Sequence, residues 1–262
     1  MSAPLRLLRL PHLEEDGSLQ MAIDAALLDW ASRGLDRAVF RTYDWNPPAI
    51  SLGRAEPFPD GWDLAAIRAA GLDVVRRPTG GDAVLHDGEL TFALAASLPG
   101  PWNLGPRAYA NLVAEALADA VAAFGLKAER VLERGIAARP GADPCFARAS
   151  SGELRSGAFK VAGIASRFTR GAALCHASVP LTPRHRDIAR FRGDRPGERE
   201  ALAEHARSIA EILGRSVPAV ALGDVLATKV AGRLGASLEV APLDDCVPGG
   251  VERARVRAVE TA

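Results

Sequence analysis

The chain has 262 residues, with 32 Lys and Arg against 32 Asp and Glu, and 48% of its residues are hydrophobic. That length accommodates one large domain, or a main domain with a small appendage, with enough core to fold without a disulfide. The neutral balance gives no broad field of either sign, which points away from a nucleic-acid or membrane binder.

Residues 1–10 are apolar but contain Arg6 and Arg9 and run straight into Glu14, Glu15 and Asp16, so they lack the unbroken apolar centre of a signal peptide. No later stretch approaches the roughly 20 apolar residues of a membrane span. The expectation is a cytoplasmic protein. Three cysteines, Cys145, Cys175 and Cys246, without a CxxC spacing, favour free thiols over a disulfide framework or a tetrahedral zinc site.

In chain order, Ile23, Leu27 and Trp30 recur at helical spacing with Asp24 and Asp29 between them, predicting an amphipathic helix over 20–31. Short strands follow at 40–43 and 49–52 around Asn46-Pro47-Pro48, then at 72–76 and 91–98. Tyr109, Leu112, Val113, Ala116, Leu117, Ala120, Val121 and Phe124 follow the i, i+3, i+4, i+7 pattern closely, and Gly125 stops the helix they predict. Residues 159–179 read as two strands joined at Thr169-Arg170-Gly171, with Lys160, Ala162, Ile164 and Ser166 on one face and His176 with Ser178 on a face of the partner. The charged run 184–197 reads as a linker before helices at 198–213 and 218–234, closed by Gly214 and Gly235. Strands and helices without strict alternation predict an α+β fold with a mixed or antiparallel sheet. Residues 1–183 form the expected core, and 184–262 a linker and helical part of the same domain.

Four features bear on chemistry. Arg76-Arg77-Pro78-Thr79-Gly80-Gly81 joins two expected strands. Its paired glycines leave the backbone open to a ligand and its arginines suit an anionic group, although a plain turn with solvated arginines has the same composition. Cys145 follows Pro140, Gly141 and Pro144, an irregular and accessible setting that suits a reactive thiol, whereas Cys175 sits among small apolar residues as an inert one. Lys160 stands between Phe159 and Val161, a place where a long cation either snorkels or reaches a pocket. His86 and His176 are acid–base candidates whose alternative is a hydrogen-bonded structural role. Between residues 145 and 186 seven basic residues face the single acid Glu153, a local excess that either steers an acidic partner or is balanced by acids elsewhere.

The series Arg76-Arg77-Pro78-Thr79-Gly80-Gly81, Ala83-Val84-Leu85-His86-Asp87, Cys145-Phe146-Ala147, Glu153-Leu154 and Lys160-Val161-Ala162-Gly163 resembles the lipoate-protein ligase A/B and biotin ligase superfamily, most of all its cysteine-dependent octanoyltransferases. Gln20-Met21-Ala22-Ile23-Asp24 and Pro48-Ala49-Ile50-Ser51-Leu52-Gly53 extend the likeness over residues 5–235. The resemblance implies a central mixed sheet flanked by helices, as in biotin ligases and class II aminoacyl-tRNA synthetase cores. It implies octanoyl transfer from acyl carrier protein to a lysine of a lipoyl domain, such as the glycine-cleavage H protein, with no cofactor and no metal. On that likeness Cys145 carries the acyl group as a thioester and Lys160 stabilises its thiolate and the substrate carbonyl. Arg77, Thr79, Gly80, Gly81 and His86 line the acyl site, with Gly163, His176 and Ser178 completing it. Related possibilities are an amidotransferase between lipoyl-domain proteins, an ATP-dependent lipoate ligase that needs Lys160 but no cysteine, and a non-catalytic acyl-binding protein. The chain departs from the family pattern at Ile164 and Ser166, at Cys175 and Ala177, and at Asp82.

Overall fold

The structure, a computed structural model, describes residues 5–34, 36–98, 104–131, 146, 153–193 and 197–261. The chain opens with β1 (Leu5–Arg9), β2 (Leu13–Glu15), α1 (Gly17–Ser32), β3 (Ala38–Trp45) and β4 (Ala49–Leu52). It continues through α2 (Leu64–Ala69), β5 (Asp73–Arg76), β6 (Val84–His86), β7 (Glu89–Ser97), α3 (Pro106–Ala122) and β8 (Glu129–Arg130). There follow β9 (Leu154–Ser156), β10 (Phe159–Phe168), β11 (Ala172–Pro180) and a 3-10 segment, Pro183–Phe191. The last elements are α4 (Glu198–His205), α5 (Ile209–Leu213), α6 (Ala219–Leu234), β12 (Ala236–Val240) and α7 (Gly250–Thr261).

Nine strands make the central sheet, in the order β12-β1-β3-β7-β11-β10-β9-β8 with β2 added on β3. The β12, β1 and β3 pairings are parallel, and those from β3 to β8 are antiparallel, so the sheet is mixed. A second sheet of three strands, β5-β4-β6, packs beside it.

Alternation along the strands supplies a core on each face of the main sheet. On one face Phe40, Phe92 and Leu94 meet Val113 and Leu117 of α3 and Leu222 and Leu226 of α6. On the other, Val39, Ala95 and Leu174 meet Ile23 and Leu27 of α1 and Ala254 of α7. The small sheet sets Ile50, Leu52 and Leu85 against Ile188, Phe191 and Leu202. Truncating a fully buried residue such as Leu117 to Ala costs about 2–5 kcal/mol, the transfer term plus the cavity left behind.

Three expectations change. The helix expected over 198–213 is two helices, because Ser208 starts α5 with a reciprocal capping box to Glu211 and Ala206 bridges to Lys160 of β10. Residues 236–240 form a strand paired with β1, a pairing with a segment more than 200 residues away that no local pattern announces. The even alternation expected from Lys160 to Ser166 fails at its start. The β10–β9 register shifts between Lys160 and Ala162, and Val161 and Ala162 both enter the core facing α3 and α6. A bulge of this kind re-aims the residue beside it. Ala162 and Ile164 then share the face of Ala177 and Cys175, opposite to that of His176 and Ser178.

Candidate active site

The glycine loop between β5 and β6 folds back on β4. Arg77 is buried, and its guanidinium donates to the Ser51 carbonyl at 2.8 Å, Ser51 Oγ at 3.2 Å, the Gly80 carbonyl at 2.9 Å and the Asp82 carbonyl at 2.7 Å. Arg77 therefore clamps the loop with those donors, where the composition had offered it as an anion receptor. Gly81 sits at φ 94°, and a Cβ on Gly53 would lie 1.7 Å from the Gly81 carbonyl oxygen. Backbone lies on backbone there, which only glycine permits. The Arg54 amide adds a 2.9 Å bond to the Thr79 carbonyl, and Arg167 of β10 reaches the Pro78 carbonyl at 3.3 Å.

Two histidine networks anchor the loop and the sheet. In the first, His86 bonds Glu89 Oε1 through Nδ1 at 2.6 Å and Ser51 Oγ through Nε2 at 2.7 Å, and its ring stacks on Trp45 at 4.0 Å. Ser178 and Thr91 donate to the same Glu89 carboxylate, and Trp45 Nε1 donates to Thr91 at 2.9 Å. Burial alone would raise the Glu89 carboxyl, but His86, Ser178 and Thr91 together hold it below the usual range. In the second, Thr79 Oγ1 meets His176 Nε2 at 2.5 Å, and His176 Nδ1 meets Asp24 of α1 at 3.2 Å. Asp24 also accepts from Arg41 Nε at 2.9 Å and Tyr43 OH at 3.0 Å. Burial pushes the Asp24 carboxyl up, and Arg41 foremost overcomes it and leaves it lowered. Burial lowers His176 against the pull of Asp24, with Arg77 and His86 adding to the fall, so its imidazole is neutral at pH 7.

Lys160 is 1% exposed. Its Nζ donates to Glu153 Oε1 at 2.8 Å and lies 5.0 Å from the centroid of Phe146, a residue packed with the small sheet and the 3-10 segment. The bulge in β10 is what turns this long cation away from the α3 core and toward Phe146. Burial disfavours an ammonium, and a carboxylate at this distance favours it. Three residues on, Gly163 stands opposite Ser178 in the β10–β11 ladder.

Cys145 lies outside the described residues, and Phe146 is its sequence neighbour within them. Cys175 is fully buried and its thiol is pushed up to about 12 by that burial, consistent with an inert role. The structure thus joins Arg77, His86 and Ser178 through Ser51 and Glu89, joins Thr79 to His176, and pairs Lys160 with Glu153 beside Phe146. Sequence reasoning passed over Asp24, Ser51, Glu89 and the buried His185, whose ring lies 5.2 Å from Phe146. Glu89 had a local signal, a carboxylate three residues after His86 across a tight turn. Asp24 had none, since its partners Arg41, Tyr43 and His176 lie 17, 19 and 152 residues away. The basic run of 145–186 is in part balanced by the fold, through Arg155 with Glu129, Arg184 with Asp87 and Arg186 with Glu211. A cavity of about 380 Å³ borders His86 and Glu89, but Glu14, Asp44 and Asp87 also line it, a poor setting for an apolar chain.

The fold is that of lipoate-protein ligases. A putative lipoate protein ligase from T. acidophilum with bound lipoic acid superposes at TM-score 0.74 and 19% identity, over 99% of this chain and 96% of that one. A lipoate-protein ligase A bound with ATP does so at 0.74 and 21%, over 98% and 94%. Residues 16–231 match the lipoyl protein ligase A/B catalytic domain, and the chain belongs to that family. Its relatives include octanoyltransferase LipM of Kyrpidia tusciae, 34% identical over 85% of each chain. That of Symbiobacterium thermophilum is 35% identical over 91% of this chain and 89% of its own.

Proposed function

We propose that this chain is a cytoplasmic octanoyltransferase of lipoate biosynthesis. Its donor is octanoyl-acyl carrier protein, and its acceptor is a lysine of a lipoyl-domain protein such as the glycine-cleavage H protein. The Cys145 thiolate attacks the donor thioester, forming a new carbon–sulfur bond as the carrier's thiolate leaves and takes up a proton. The acceptor's amine then attacks the Cys145 thioester, an amide forms, the Cys145 sulfur departs, and the amine's proton passes to it. Thioester exchange is nearly thermoneutral and aminolysis runs downhill, so the scheme needs no nucleotide.

The observation that carries this reading is the buried Lys160–Glu153 pair, 5.0 Å from the residue after Cys145, in a chain whose long relatives are named octanoyltransferases. The ammonium at that point would hydrogen-bond the carbonyl oxygen as negative charge develops. Arg77, Thr79, Gly80, Gly81, His86, His176, Gly163 and Ser178 shape the acyl site, chiefly by holding the glycine loop and the sheet beneath it in one arrangement.

Intact-mass analysis after incubation with octanoyl-acyl carrier protein tests the reading. One octanoyl group is expected, released by hydroxylamine and absent in Cys145→Ser. Labelling at Cys175, or full activity of Cys145→Ser with ATP and free acid, would overturn it. Offering octanoylated H protein as the donor separates transfer from carrier protein and transfer between lipoyl domains.

A further inference from the structure

The bond between Thr79 and His176 spans 97 residues and joins the glycine loop to β11 of the main sheet. Its geometry fixes how the proton is shared. Asp24 takes three donors, Arg41 Nε, Tyr43 OH and His176 Nδ1, so as a carboxylate it selects the imidazole tautomer with hydrogen on Nδ1. Nε2 is then a bare lone pair, and the Thr79 hydroxyl donates to it. Thr79 is 1% exposed and Asp24 is fully buried. Solvent therefore offers the hydroxyl no competing partner, and leaving it unpaired would cost roughly 1–3 kcal/mol.

We propose that Asp24 and His176 are positioning residues of the proposed octanoyl transfer, acting through Thr79 to hold the glycine loop at one height above the sheet. Arg77 fixes the far side of the loop through Gly80 and Asp82, and Gly53 fixes its closest approach through Gly81. The Thr79 hydroxyl is the link from the loop to β11. Its loss removes that link and lets the loop shift relative to β11, while the bonds to Ser51, to the Arg54 amide and to Arg167 of β10 persist. A displacement of about 1 Å in such a positioning element is enough to lower a rate about hundredfold. The inference rests on the octanoyltransferase reading for its kinetic consequence, and on nothing but the described residues for its structural one.

Nitrogen-15 spectra of the unliganded protein, labelled at histidine, read the tautomer directly. His176 is expected as the Nδ1–H form, converting to a mixture in Asp24→Asn. Because Asp24→Asn also takes the carboxylate from the buried Arg41 and so threatens the fold itself, Thr79→Val and Thr79→Ser provide the decisive pair. In Thr79→Val the Arg54 amide, which donates to the Thr79 carbonyl, becomes about tenfold less protected from hydrogen exchange, and the KM for octanoyl-acyl carrier protein rises about tenfold or more. Thr79→Ser restores both to within about twofold. An Nε2–H tautomer in the native protein, or unchanged exchange and unchanged KM in Thr79→Val, would overturn the proposal. Should the native enzyme take up no octanoyl group at all, the functional reading fails, and the spectra and exchange rates still decide the relay.

Discussion

The glycine-loop side of the site and the lysine corner are both buried and both polar, but they are satisfied in different ways. Around Arg77, Ser51, His86, Glu89 and Ser178, each charged or aromatic nitrogen is matched to nearby oxygens through a chain of short bonds. At the lysine corner the Lys160 ammonium donates to the Glu153 carboxylate beside the Phe146 ring. A mesh of many neutral and charge-assisted bonds fixes shape, because no single member can move without breaking several. A buried ion pair contributes little net stability, since desolvation offsets most of the attraction. On the proposed reading the first region holds the geometry and the second takes part in the chemistry.

The sharpest way to break that contrast is Lys160→Met. Octanoyl transfer should fall by about a hundredfold or more, the loss expected on removing one donor from a developing oxyanion, as measured by single-turnover assay. Glu153→Gln comes next. It leaves a buried ammonium without its carboxylate and should cost about 3–5 kcal/mol in urea unfolding. The double variant Lys160→Met, Glu153→Leu should recover most of that stability while staying inactive. Recovery of activity as well would dissolve the distinction between the two regions.

Acid titration gives a middle-sized effect. Burial drives His185 from 6.5 down to about 4, with the Thr182 carbonyl opposing. Between those values the unfolded chain binds a proton that the folded chain refuses, so stability rises with pH over that interval and is lost on acidification. Its size is about 3 kcal/mol, and burial of His176 acts in the same direction. His185→Phe should flatten the acid limb of a stability-versus-pH curve, and an unchanged limb would remove His185 from the account. The smallest effect belongs to the surface: Arg184→Ala, which breaks an exposed pair with Asp87, should leave Tm without a resolvable shift and serves as the control.

Much of this was legible in the sequence where a periodic pattern met its own packing. The helix of Tyr109 to Phe124 appears as α3, and the hairpin at Thr169-Arg170-Gly171 appears as β10 and β11, because each is decided by neighbours within a few residues. The site divides along the same line. Lys160 and the glycine loop stood out through residue types that are costly or unusual in a strand or turn. Asp24 read as the polar side of an amphipathic helix, yet it is fully buried, since its partners Arg41, Tyr43 and His176 come from two strands of the sheet. Arg77 read as an anion receptor, and only the fold shows four protein oxygens around it. The bulge at Lys160 was likewise hidden, because a register shift depends on the partner strand as much as on the strand that carries it.

One contact has a practical consequence. The Trp45 indole lies 4.0 Å from the His86 imidazole at 13° between ring planes, and its Nε1 is tied to Thr91. The loop-holding mesh thus contains its own fluorophore, with an imidazole stacked on it. Replacing the remaining tryptophans, Trp30, Trp62 and Trp102, with phenylalanine would leave a single emission band reporting on that mesh, so that tightening or loosening on donor binding becomes visible in a cuvette without an attached dye.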